Sequence, residues 1–284
     1  MNTTAAAAPK ASVATRFREQ LGAKRVIIGF VVAAVGIASI YSTLAFALIV
    51  CAISVIAAAE FANLAKRSGG EVALPVALAA CGIYPALAYV HLLSRFEPWL
   101  ITAIVIASFA ASLPADLDRF AGRCAMTVLA ALYIGKMLSY LVLLRETPNG
   151  LAYTLWIVII VALTDIVGMI AGLGFGQHPL APRLSPAKTW EGAICALAVA
   201  TLIGAVMWRS LQIHGPLWLA VVFPLSVSIA AEIGDLIESA FKRNAQVKDS
   251  GQSLPGHGGV LDRFDSYIFA GVVGYVALQL AGLL

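Results

Sequence analysis

The feature that most constrains this chain is a succession of long apolar runs separated by short polar breaks. A bilayer core about 30 Å thick takes roughly 20 helical residues to cross. No water is present there to satisfy exposed backbone groups, so such runs fold as helices. The runs predict an all-α, polytopic integral membrane protein with about nine transmembrane helices. They fall near residues 26–41, 43–64, 73–93, 98–113, 122–144, 151–173, 193–213, 216–240 and 264–284. Composition agrees: 61% of residues are hydrophobic and only 12% are charged. The mean hydropathy of +0.90 lies far from that of an ordinary soluble domain. With no internal repeat or low-complexity linker, the chain reads as one membrane unit. It has a basic tail at 1–25, N-terminal helices over 26–150 and a region over 151–284 whose polar loops carry the chemistry.

The basic residues set an orientation. If the N-terminus is cytoplasmic, that side holds five Lys/Arg in the tail, Lys66, Arg67, Arg119, Arg123, Arg183, Lys188, Lys242, Arg243, Lys248 and Arg263. The other side holds Arg95, Arg145 and Arg209, and Lys136 lies inside a run. This asymmetry follows the positive-inside rule and puts both polar loops on the cytoplasmic face. In the tail, small residues precede the first apolar run instead of following it, which argues against a cleaved signal peptide. The net charge of +4 calls for no nucleic-acid partner, because anionic membrane lipids suffice as its counterpart. Cys51, Cys81, Cys124 and Cys195 fall in or beside apolar runs, with no Cys-x-x-Cys spacing, and read as small packing residues.

A polar island interrupts the last two runs. Ser239 to Asp265 reads SAFKRNAQVKDSGQSLPGHGGVLDRFD, with three aspartates, four cations and a histidine among glycines. Just upstream, Glu232, Asp235, Ser239 and Lys242 recur at helical spacing and share one helix face. A charge at the bilayer centre costs roughly 2.5–3.5 kcal/mol, so that face should look into a polar cavity. Solvation at the headgroup level is the alternative, and it stays open above all for Glu238. Lys242, Arg243, Lys248 and Arg263 suit phosphate oxygens. Asp249 and Asp265 fit either the site or structural ion pairs with neighbouring cations.

The island resembles the phosphatidate cytidylyltransferases (CDP-diacylglycerol synthases). That family's motif is a Ser, Lys-Arg, Lys-Asp, His-Gly-Gly and Asp-Arg-x-Asp. Here these stand as Ser239, Lys242-Arg243, Lys248-Asp249, His257-Gly258-Gly259 and Asp262-Arg263-x-Asp265. The resemblance extends upstream to about Asp165, covering the C-terminal 40% or so of the chain. It implies CTP and phosphatidate as substrates. It also implies Asp235 and Asp262 as the pair that holds Mg²⁺, with room for a second cation, since Mg²⁺ prefers one or two carboxylates plus phosphate and water oxygens. His257 is then placed near the phosphates, Gly258 and Gly259 allow close backbone approach, and a homodimer is implied.

A second stretch, Ser185-Pro-x-Lys188-Thr189-x-Glu191-Gly, also resembles the family. Ser185, Lys188 and Thr189 would offer hydroxyls and a cation to nucleotide, with Glu191 orienting Lys188. A helix start with Ser185 as its cap accounts for the same residues. Asp165 matches a family aspartate, but its surroundings depart from the pattern. Met169, Leu173 and Gln177 stand where the family tends to have Tyr, Arg and Lys.

These readings predict a membrane enzyme that transfers a cytidylyl group from CTP to phosphatidate, sited at the cytoplasmic face of a bacterial inner membrane. A CTP-dependent transferase acting on another lipid phosphate or alcohol is the alternative that the departures favour. A transporter fits less well, because the polar groups gather at one face with no inverted repeat.

Overall fold

The computed structural model describes residues 34–213, 215–254 and 258–284. The basic tail, the start of the first expected span, and His257 lie outside the described residues. The remainder folds as a helical bundle. In chain order the elements are α1 (Thr43–Arg67), α2 (Leu74–Tyr89), α3 (Leu93–Ser112), α4 (Leu117–Arg145), α5 (Gly150–Phe175), β1 (Pro179–Ala181), β2 (Ser185–Thr189), α6 (Trp190–Ser210), α7 (Leu219–Asn244) and α8 (Leu261–Leu280). Residues 34–40 are also helical and precede α1.

Each expected span from 43 onward falls on one of these helices. Six of them (α1, α3, α4, α5, α6 and α7) are long and apolar enough to cross a membrane. The expected total of nine is not reached by that measure among the described residues. α2 has 16 residues, and α8 opens on Asp262, Arg263 and Asp265.

Small residues set how closely the helices approach. A Cβ on Gly192 would lie 2.7 Å from the Gly168 carbonyl oxygen, which brings α5 and α6 almost backbone to backbone. On the other side of α6, a Cβ on Gly204 would run into the ring of Pro224 of α7. Trp156 of α5 closes this junction. Its ring stacks on Phe223 at 3.9 Å, and its indole N–H donates to the Gly204 carbonyl at 3.0 Å. A buried Trp usually needs such an acceptor.

α4 is continuous but widens into a π-helical stretch over Ala131–Lys136. There Gly135 packs so tightly on α2 that a Cβ would sit 2.9 Å from Cys81 Cα. The same stretch turns Tyr133 toward Phe61 of α1, Phe241 of α7 and Phe269 of α8. Lys136, an intramembrane cation with no partner evident from sequence, pairs with Glu97 of α3 at 2.6 Å. All four cysteines are free, and Cys81 and Cys124 are buried.

The α6 start differs from the expectation. Ser185 does not cap a helix. Residues 185–189 are extended and pair antiparallel with 179–181, Ala181 opposite Ser185 and Pro179 opposite Thr189. Thr189 is the cap, its hydroxyl accepting from the Gly192 amide at 3.2 Å. Strand pairing satisfies the backbone that an earlier helix start would have used, and Thr189, though a somewhat weaker cap than Ser, fills the role.

Candidate active site

The charged residues of both polar stretches converge at one end of the bundle. The site is built by α5, β2, the start of α6, the last turns of α7 and the first turn of α8. A cavity of about 370 Å³ opens between them. It is lined by five carboxylates (Asp165, Glu232, Asp235, Asp262, Asp265) and three cations (Lys188, Lys242, Arg263). Thr189, Met169, Leu173 and Leu180 complete much of the wall. Asp165 lies ten residues before the end of α5, so the cavity reaches roughly 15 Å into the bundle at the helical rise.

Two lysines tie the carboxylates together. Lys188 Nζ donates to Glu232 Oε2 at 2.7 Å and pairs with Asp235 Oδ2 at 2.7 Å. Burial pulls the Lys188 ammonium down, but Asp235 and Glu232 outweigh it and hold its pKa above the ordinary lysine value. Lys242 Nζ donates to Asp262 Oδ1 at 2.8 Å and contacts Glu238. Ser239 donates to Asp235 Oδ1 at 3.3 Å. Of the helical face expected from Glu232 to Lys242, Glu232, Asp235 and Lys242 thus look into the cavity, and Ser239 stands behind Asp235. Glu238 is completely buried, which removes headgroup solvation as its explanation.

Asp262 is the most heavily bonded acid of the cavity wall. Its Oδ2 accepts from the Ser250 amide (2.8 Å), the Ser250 hydroxyl (2.9 Å) and the Gly259 amide (2.7 Å). Gly258 has φ +83°, and a Cβ there would lie 2.8 Å from Asp262 Oδ2, so the Gly-Gly pair lets the loop wrap this carboxylate.

Other expected residues stand elsewhere. Glu191 does not orient Lys188. It accepts from the backbone amides of Gln177 and His178 and pairs with His178 Nδ1 at 2.5 Å. Arg243 ties the hairpin to the segment after α7 by donating to the carbonyls of Leu184 and Val247. Lys248 and Asp249 line a separate depression with Lys66 and Arg67, on the other face of the loop. Ser185 stands in the hairpin, its backbone opposite Ala181, and does not line the cavity. Sequence reasoning missed Glu60, a nearly fully buried acid inside α1 that bonds to the island loop. Its signal was an acid within an otherwise apolar run.

The residues fit a hard divalent cation. Oxygens of Asp235, Glu238 and Asp265 lie within 4.8 Å of one another, and Glu238 Oε1 has no hydrogen-bond partner although it is buried. Oxygen ligands of this kind suit Mg²⁺. Acids outnumber cations on the cavity wall, so an anionic ligand needs added positive charge to enter. Asp235 and Asp262 share the cavity, but Asp262 Oδ1 already holds Lys242.

The sequence model of the family described as "Cytidylyltransferase family" matches residues 23–281, which carries the likeness through the N-terminal helices as well. That is much further than the C-terminal 40% the motifs alone covered. Curated relatives named phosphatidate cytidylyltransferase include one from Staphylococcus epidermidis (strain RP62A). It is 39% identical over 145 residues, 51% of this chain and 55% of the relative. One from Bacillus subtilis (strain 168) is 37% identical over 153 residues, 54% of this chain and 57% of the relative. One from Staphylococcus aureus (strain COL) is 41% identical over 149 residues, 52% and 55% respectively. The match thus spans little more than half the length of these relatives.

Proposed function

Since the chain belongs to the cytidylyltransferase family, we propose that it transfers a cytidylyl group from CTP to phosphatidate, giving CDP-diacylglycerol and pyrophosphate. The observation that carries this reading is the cavity wall itself, where three cations are interleaved with five carboxylates inside a membrane bundle. A purely cationic pocket would suit a lone anion. An acidic pocket with lysines suits a nucleotide that arrives with metal.

In this reaction a phosphate oxygen of the lipid attacks the α-phosphorus of CTP. A new P–O bond forms there, the bond to the β-phosphate oxygen breaks, and pyrophosphate leaves in line. The attacking phosphomonoester has a second pKa of about 6, so it is largely ionised near neutrality and needs no general base. Lys188, Lys242 and Arg263 position phosphate oxygens and offset their charge. Asp235 is the first candidate to hold Mg²⁺, with Asp262, Glu238 and Asp265 around it. Bound there, Mg²⁺ would neutralise charge on the triphosphate. The positive-inside asymmetry supports a cytoplasmic opening, where CTP is present.

Met169 and Leu173 favour a second reading with another lipid phosphate. They line the cavity where the family tends to place Tyr and Arg, leaving that wall apolar. The test is product analysis by mass spectrometry, using detergent-purified protein with CTP, Mg²⁺ and either phosphatidate or an isoprenoid phosphate. CDP-diacylglycerol that disappears with Asp235→Asn and Asp262→Asn is the expected result. Cytidylylated product from the isoprenoid phosphate alone would transfer the chain to the second reading. Near-normal turnover by either Asn variant would remove that residue from the metal site.

A further inference from the structure

Glu60 lies in α1, a helix of the N-terminal half, yet its carboxylate is bonded entirely to the C-terminal island. Oε1 accepts from the Val260 amide at 3.0 Å and the Ser253 hydroxyl at 2.6 Å. Oε2 accepts from the Leu261 amide at 2.8 Å and lies 3.2 Å from the Ser250 hydroxyl. The side chain is 4% exposed. Two consecutive amides at the start of α8 therefore end on Glu60, which caps that helix from a different segment.

The amide before them, Gly259, goes to Asp262 instead, at 2.7 Å. The Ser250 hydroxyl stands between the two carboxylates, 2.9 Å from Asp262 and 3.2 Å from Glu60, and has one proton to give. Glu60 and Asp262 thus share Ser250 and divide the successive amides of Gly259, Val260 and Leu261 between them. The loop is cut to fit this arrangement: a Cβ on Gly251 or on Gly259 would come within 2.5 Å of a Glu60 oxygen.

We propose that Glu60 is a positioning residue for the catalytic cavity. Through its bonds to Ser250, Ser253, Val260 and Leu261, it fixes the first turn of α8 and hence the place of Asp262. The proposal rests on the cytidylyl transfer proposed above for its kinetic consequence, but not for its structural one. Glu60→Gln puts an N–H donor against donors that a carboxylate accepts without conflict.

Two readouts test it on the full-length protein in detergent. The first is amide hydrogen exchange of peptides over 249–261. The backbone amides of Ser250 and Gly259 donate to Asp262 and not to Glu60, so faster exchange of those amides reports transmission. In Glu60→Gln, exchange should rise about tenfold or more, with α5 and α6 unchanged. The second is turnover. kcat should fall by about tenfold to a hundredfold while KM for CTP stays within about threefold, because Lys188 is untouched. Unchanged exchange at Ser250 and Gly259, or a wild-type kcat from folded Glu60→Gln, overturns the proposal. So does a loss in which KM for CTP rises as much as kcat falls. If Glu60→Gln does not fold, Ser253→Ala removes one donor and keeps the carboxylate. It should raise exchange in the same peptides about threefold, and no rise overturns the proposal. Wild-type protein without cytidylyl transfer would defeat the reading of function, and the exchange result would still judge Glu60.

Discussion

Lys188 shows how one side chain can join two elements. It sits on β2, yet its partners Glu232 and Asp235 belong to α7. Removing it leaves two neighbouring α7 carboxylates without their shared cation on the wall of the cavity where a triphosphate must enter. Lys188→Ala should therefore raise KM for CTP by about tenfold or more, read from initial rates at saturating lipid. Lys248→Ala is the contrast, since Lys248 lies on the other face of the loop. Its effect on either constant should stay within about threefold, as for a surface charge. Equal effects from the two would mean that the cavity does not mark the CTP site. The residues of the cavity were legible in the sequence as far as helical periodicity reached: Glu232, Asp235, Ser239 and Lys242 share a face because their spacing says so. Which loop cations face inward was not legible. Lys242 and Arg243 are adjacent, but helix geometry sends one into the cavity and the other to the carbonyls of Leu184 in the hairpin and Val247 after α7.

At the scale of elements, the apolar runs announced the helices because hydrocarbon leaves a backbone few other options. Boundaries and contacts were less visible. The strand pair before α6 has no periodic pattern, being only three and five residues long. The π-helical turn of α4 answers to Gly135 meeting Cys81 across a helix pair, a contact that local sequence does not encode. The same holds for the α6–α7 junction, where Gly204 meets Pro224 beneath Trp156. A methyl group there overpacks the junction, so Gly204→Ala should destabilise the bundle by about 1–3 kcal/mol. A Cβ on Gly122 of α4 would meet nothing within 4 Å. Gly122→Ala should leave the thermal midpoint in detergent unchanged, whereas Gly204→Ala lowers it. Indistinguishable midpoints would show that α6 and α7 do not pack through Gly204.

For the whole molecule, alternating helices sort the charges by end. The cavity end carries Lys66 and Arg67 at the close of α1 and Lys242 and Arg243 at the close of α7. Arg119 and Arg123, near the start of α4, pair with Glu71 at the same end. Arg145 and Arg209 close α4 and α6 at the far end, and Arg145 donates to the Ile40 carbonyl there. Anionic lipid on a cytoplasmic leaflet attracts each basic residue by about 1 kcal/mol, so the charge difference between the ends predicts a cytoplasmic cavity end. The N-terminal half is not a passive anchor in this arrangement. Its α1 carries Glu60 into the site end, which requires α1 and α8 to keep one fixed relative orientation. Single cysteines in a background whose four native cysteines are replaced test the orientation directly. Arg67→Cys and Asp249→Cys should react with a membrane-impermeant maleimide only after inverted vesicles are made or cells are opened. Arg209→Cys should react from outside intact cells. The reverse pattern would place the cavity away from the CTP pool and end the cytidylyltransferase reading. Labelling of all three from one side would contradict the alternation of helices on which the site is built.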